Sequence, residues 1–218
     1  MEFYDNSYLY VVFYAFISVS MARSKYYTAW KLCMVGVHAS GVSYNGIDFS
    51  RVNTCNPLIV ETTIHVREKI NFWNIAIQEW LRKGIYNRSN IKNKSLSQLY
   101  VFSISAFWHG FYFAYYLSMV FWFGQLYLQG LIFKYCRNGR SKLVKLYNKT
   151  GKAGFVILSI LVQMLFSHCA VYFLILEGYY SYKMMIKLKF LPQIILIVLI
   201  AVFSNIRPPR DPKPKSSE

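Results

Sequence analysis

The chain has 218 residues, 55% of them hydrophobic, 19% aromatic and only 16% charged; ordinary soluble domains carry about 25% charge, so the composition excludes a conventional water-soluble domain. The formal net charge of +16 would suggest nucleic acid on a soluble chain, but no nucleic-acid-binding module is visible. Instead the basic residues cluster between apolar runs, as in KYCRNGRSKLVKLYNK at 134–149, the pattern of loops held at an anionic membrane face.

A helix needs about 20 apolar residues to cross the hydrocarbon layer. The first apolar run, 8–21, is slightly short of that, and Glu2 and Asp5 precede it where a signal peptide would be basic. It reads as a membrane helix. A second run covers 26–44 and is interrupted by Lys31 and His38. The segment 45–95 is mixed and polar, suited to the membrane surface, and His65 within it is expected in solvent. Within this segment, NFWNIAIQEWLRKGIYNR (71–88) places Phe72, Ala76, Ile77, Trp80 and Leu81 at helical spacing, which predicts an amphipathic helix ending near Gly84 and Asn87. Asn74 and Gln78 share another face of it.

Residues 96–133 are apolar or weakly polar throughout. At about 1.5 Å per residue the stretch is too long for one straight span, so it is either two short helices or one helix broken near Gly110. Residues 153–176 and 190–206 are two further spans, and the Pro-rich charged tail 207–218 is expected to be disordered. The positive-inside rule places loop 134–152 and this tail in the cytosol. The fold class is therefore all-α, a polytopic transmembrane helical protein. Cys33, Cys55, Cys136 and Cys169 are scattered without metal-ligand spacing, so no metal site is expected.

Four histidines remain. His38 and His168 lie in apolar runs and read as structural. His109, in SISAFWHGFYFAYYLS, is the one ionisable group besides tyrosine in the run 96–133. It is either a histidine hydrogen-bonded across helices or a site residue, because intramembrane polar groups are costly and tend to mark function. Imidazole is also the side chain best suited to move a proton near neutral pH. Asn74 by itself reads as a helix-surface amide.

Two motifs together change that reading. FWNIAIQEWLRKGIYNR followed by SAFWHGFYFAYYLS resembles the membrane-bound O-acyltransferase (MBOAT) family, in particular its lysophospholipid acyltransferase branch, which pairs W-N-x-x-x-x-x-W-L with S-A-x-W-H-G. RSKYYTAW at 23–30 is similar to the family's R-x-K-Y-Y-x-x-W block, and the resemblance runs from about residue 20 to about 206. It implies that residues 1–206 are the C-terminal half of an MBOAT transmembrane domain, since family members are longer. It implies acyl transfer from acyl-coenzyme A to the free hydroxyl of a lysophospholipid, in phospholipid remodelling, with His109 as base and Asn74 as its partner. It further implies that Trp73, Trp108, Tyr115, Tyr116 and Gln78 line the substrate tunnel. No cofactor is implied, coenzyme A being a substrate; the expected partners are the bilayer, acyl-CoA and lysophospholipid, with homo- or hetero-oligomers open. HVREKINFWN is most similar to lysophosphatidylinositol acyltransferases, and the branch's location implies a multi-pass protein of the endoplasmic reticulum membrane. One departure stands out: Phe113 and Ala114 occupy positions where the branch has Pro and Gly. An alternative reading follows, a catalytically inactive membrane fragment that binds lipid or pairs with a full-length relative.

Overall fold

A computed structural model describes residues 6–136 and 142–206, so the tail 207–218 and the middle of the basic loop lie outside the described residues. The two apolar runs expected as separate segments form one helix, α1 (Tyr8–Ala39). Nothing in the intervening MARSK (21–25) interrupts it: there is no Gly or Pro, and the hydroxyls of Ser20, Ser24 and Thr28 bond back to carbonyls one turn earlier. Lys25 and Lys31 stay exposed, so neither charge has to be buried to continue the helix.

The polar segment folds into short helices. Asn56 caps α2 (Pro57–Thr62), its Oδ1 accepting from the Ile59 amide, with Pro57 at the first helical position. Next come α3 (Val66–Phe72), α4 (Ile75–Leu81) and a π turn over Arg82–Tyr86. The amphipathic helix expected over 71–88 is thus divided at Asn74, which sits at φ 27°. His65 is half-buried rather than free in solvent, its ring edge-on to Phe133 at 5.3 Å.

Asn93 caps α5 (Lys94–His109), accepting from the Ser95 and Leu96 amides. The long apolar run breaks at Gly110, whose φ of 122° suits only glycine, and resumes as α6 (Phe113–Cys136). A glycine bend at Gly151 interrupts α7 (Lys142–Ile175). The connection between the expected spans 153–176 and 190–206 is largely helical, α8 (Gly178–Lys187), and left-handed Lys189 and Phe190 turn the chain into α9 (Leu191–Asn205). Helices α6 and α7 are long and apolar enough to cross a membrane, and α8 with α9, bent by 75°, form a third candidate span. Among the described residues there is no strand.

Helix α6 is central, packing on α5, α7 and α9, while α1 lies against α7. One core cluster joins Val11 and Val19 of α1 to Ala114, Tyr172, Met184 and Leu188; another joins Val66 of α3 to Leu126 and Phe166. Polar ties supplement this packing, since lipid supplies no hydrogen bonds. Gln125 Nε2 donates to the Leu165 carbonyl at 2.8 Å and Trp122 Nε1 to that of Phe166 at 3.2 Å. His168 belongs to a cluster with the Tyr172 hydroxyl, 2.9 Å away, and Gln193 of α9.

Gly124 sets the α6–α9 approach: a Cβ there would lie 3.1 Å from Leu196 Cδ2. Gly124→Leu is expected to wedge the helices apart, costing about 1–3 kcal/mol by overpacking. Thermal unfolding in detergent should show a lowered midpoint; an unchanged midpoint would mean that α9 docks less tightly than this contact implies.

Candidate active site

Two short turns present the two candidate catalytic side chains. His109 is the last residue of α5, and Gly110 turns the chain immediately after it. Tyr115, in the first turn of α6, brings its ring centroid 5.5 Å from the imidazole. Phe173 of α7 meets the same imidazole edge-on at 4.7 Å and lies 4.5 Å from Tyr115. Three helices thus grip the ring through apolar contacts. Among the described residues no side chain hydrogen-bonds the His109 nitrogens, and the residue is exposed. Unlike His38, held 2.5 Å from Ser43 Oγ, and His168, it keeps both nitrogens open to a substrate.

Asn74 connects α3 to α4. Its φ of 27° and ψ of 66° are a strained conformation that asparagine tolerates better than most residues. Backbone bonds enforce the corner from both sides: the Asn56 amide donates to Phe72 O at 3.0 Å, and the Ile75 amide to Thr54 O at 2.8 Å. The Asn74 oxygen makes no capping bond to α4, and among the described residues its amide N–H groups donate no hydrogen bond, so they remain available. Strain at an over-determined polar residue is a common property of functional sites.

Each candidate has its own aromatic surround. Trp73, adjacent to Asn74, packs against Tyr26, Tyr27 and Trp30 with centroids 5.9, 5.4 and 4.9 Å away. Of the expected tunnel residues, Trp73 belongs to this cluster on α1, Tyr115 packs on His109 and Phe173, and Tyr116 is half-buried on α6. Trp108 is exposed and packs on Trp80 of α4 at 5.4 Å. Gln78 faces a separate cavity of about 440 Å³ between α3, α4 and α5, which Arg67, Arg82 and Gln98 also line.

In the sequence Tyr26, Tyr27 and Trp30 stand only as part of the RSKYYTAW block, and Phe173 does not stand out. The signal for the first three was present: Arg23, Tyr26, Tyr27 and Trp30 recur at helical spacing and mark one face of α1. Phe173 lies 64 positions beyond His109, in an aromatic-rich helix with nothing local to distinguish it.

Comparison with known proteins identifies the family. Residues 1–176 match the model of the membrane-bound O-acyltransferase family. A Schizosaccharomyces pombe protein named lysophospholipid acyltransferase is 30% identical over 217 residues, covering 93% of this chain and 42% of that protein. Lysophospholipid acyltransferase 6 of Drosophila melanogaster is 34% identical over 124 residues, covering 54% of this chain and 17% of that protein. The Saccharomyces cerevisiae lysophospholipid acyltransferase is 33% identical over 126 residues, covering 53% of this chain and 20% of that protein. The chain thus spans less than half the length of these curated relatives.

Proposed function

Since the chain belongs to the membrane-bound O-acyltransferase family, we propose that it carries the acyl-transfer site of a lysophospholipid acyltransferase, with acyl-coenzyme A as donor. The observation that carries this reading is the pair of open polar groups, the His109 imidazole and the Asn74 carboxamide, each at an apolar, aromatic-lined turn. His109 takes the proton from the free glycerol hydroxyl as the oxygen attacks the thioester carbonyl. The Asn74 amide donates to the oxyanion that forms there. Collapse of this intermediate breaks the C–S bond, and the proton held by His109 passes to the departing thiolate. The products are a diacyl phospholipid and free coenzyme A.

Low local polarity favours the neutral imidazole, the form a base requires. The mechanism needs no covalent acyl-enzyme, and Cys55, packed against Phe72 and Trp73, and Cys169 are both buried. The acceptor we propose first is lysophosphatidylinositol, on the likeness of HVREKINFWN to acyltransferases of that lipid, and the location is the endoplasmic reticulum membrane.

The test is a substrate panel. The full chain in detergent receives labelled arachidonoyl- or oleoyl-coenzyme A with lysophosphatidylinositol, -choline, -ethanolamine or -serine. Product from lysophosphatidylinositol in excess over the other acceptors is the expected result. Equal product from all four would sink the headgroup assignment, and lipid binding without any product would favour the inactive-fragment reading.

A further inference from the structure

The proposed site does not explain why two buried cations gather around one half-buried anion beside it. Lys69 of α3 is wholly inaccessible and Arg23 of α1 nearly so. Lys69 Nζ donates to the Val60 carbonyl at 2.7 Å and to Gln163 Oε1 at 2.5 Å. Gln163 Nε2 donates to Glu61 Oε2 at 2.6 Å. Glu61 Oε1 accepts from Arg23 Nε at 2.7 Å and from the Tyr27 hydroxyl at 2.8 Å. Arg23 is further held by Ser167 Oγ of α7 at 2.8 Å. Burial pushes the Lys69 ammonium down to about 8, against the pull of the Glu61 carboxylate. Such a group is expensive to bury and needs every one of these partners.

The connections form a closed circuit. The Lys69 carbonyl accepts from the Trp73 amide at 3.0 Å, closing α3 one residue before Asn74. The Trp73 ring packs edge-on against Tyr27 at 5.4 Å, and Tyr27 returns to Glu61 through its hydroxyl. One loop therefore runs from Lys69 through Gln163, Glu61, Tyr27 and Trp73 back to Lys69. The strained corner at Asn74 follows its backbone segment, 69–73, directly. A side-chain network with every member bonded is stiff, and its parts reinforce one another.

We propose that Lys69, Glu61 and Tyr27 are positioning residues, whose circuit holds the Trp73–Asn74 corner and so aims the Asn74 amide at the reacting carbonyl. The catalytic part of this inference rests on the acyltransferase reading; the mechanical part does not. The circuit touches no substrate atom. It acts by denying the corner the relaxed geometries that an asparagine would otherwise adopt.

Lys69→Met keeps the length and apolar stem and removes both side-chain bonds. Amide hydrogen exchange of the full chain in detergent, read peptide by peptide, is compared with the unsubstituted protein. Exchange across 72–78 is expected to quicken by about tenfold, while peptides from 114–132 in α6 keep their rates. In acyl transfer kcat is expected to fall by about 10²-fold with KM for acyl-coenzyme A unchanged, as for a misaimed group. Tyr27→Phe, which cuts the circuit but leaves the ring on Trp73, should produce a smaller change at the same amides. No acceleration at 72–78 in either variant would overturn the proposal, as would acceleration spread evenly through α6. Selective acceleration with undiminished kcat would overturn it too. If Lys69→Met fails to fold, the Tyr27→Phe exchange pattern decides. If the unsubstituted chain transfers no acyl group, the functional reading fails for this chain, while the exchange pattern still tests the circuit.

Discussion

His109→Ala lowers the acyl-transfer rate by about 10²–10⁴-fold, the range that a positioned general base supplies. The loss falls on kcat, because the imidazole acts on the proton that moves as the new ester bond forms. It does not fall on the fold. His109 makes only ring contacts, to Tyr115 and Phe173, and those two rings also contact each other at 4.5 Å. The variant is therefore expected to insert in membranes and to unfold at nearly the original temperature. Two controls sharpen the result. His109→Gln retains a polar side chain without a titrating nitrogen and should be as inactive as the alanine variant. Free imidazole added to His109→Ala should restore part of the rate, because the side chain is exposed and the vacated space is open. Full activity in His109→Ala would remove the proposed base and with it the mechanism.

The second large effect is at Asn74. Removing one preorganised oxyanion donor costs about 10²–10³ in kcat in acyl-transfer sites, so Asn74→Ala is expected to lose that much or more. Alanine confounds two changes, because it also places an unsuited residue at φ 27°. Asn74→Gly separates them: glycine adopts this conformation freely but has no amide to offer. If the carboxamide stabilises the oxyanion, the glycine variant is as slow as the alanine variant although it is the more stable of the two. Recovery of activity in Asn74→Gly would show that the corner's shape matters and that the amide does not. Asn74→Asp retains the shape and replaces donors by acceptors, and is expected to be slow as well, since a carboxylate would repel the developing negative charge.

The proposed catalytic pair and the proposed positioning circuit differ in how legible they are. His109 stands out because it is a lone imidazole in an apolar run, and Asn74 because it lies in a W-N segment that the resemblance pairs with W-H-G. Gly110 announces its own break, and the structure ends α5 one residue before it. The α3–α4 corner was hidden. The apolar period through 71–81 is continuous enough to suggest one helix, and only the bonds from Asn56 and Ile75 to distant backbone atoms divide it. The reach of α1 was hidden for the opposite reason: Lys31 and His38 looked like interruptions, yet an exposed lysine stem costs a helix little. Lys69, Glu61 and Arg23 appear in sequence as ordinary surface charges spread over 47 positions.

By itself the sequence determined an all-helical membrane protein and a break within the run 96–133, and its resemblance to the acyltransferase family singled out the two candidate catalytic residues. The first two properties depend on composition, on hydrophobic period and on local backbone preference, all of which act over a few turns of chain. Only the tertiary structure decided what surrounds these residues. Phe173 against His109, Gln163 between Lys69 and Glu61, and the Trp73 cage on α1 are contacts between helices far apart in the chain. In lipid, a buried charge survives only where such distant partners satisfy it, and no local signal in the chain names those partners.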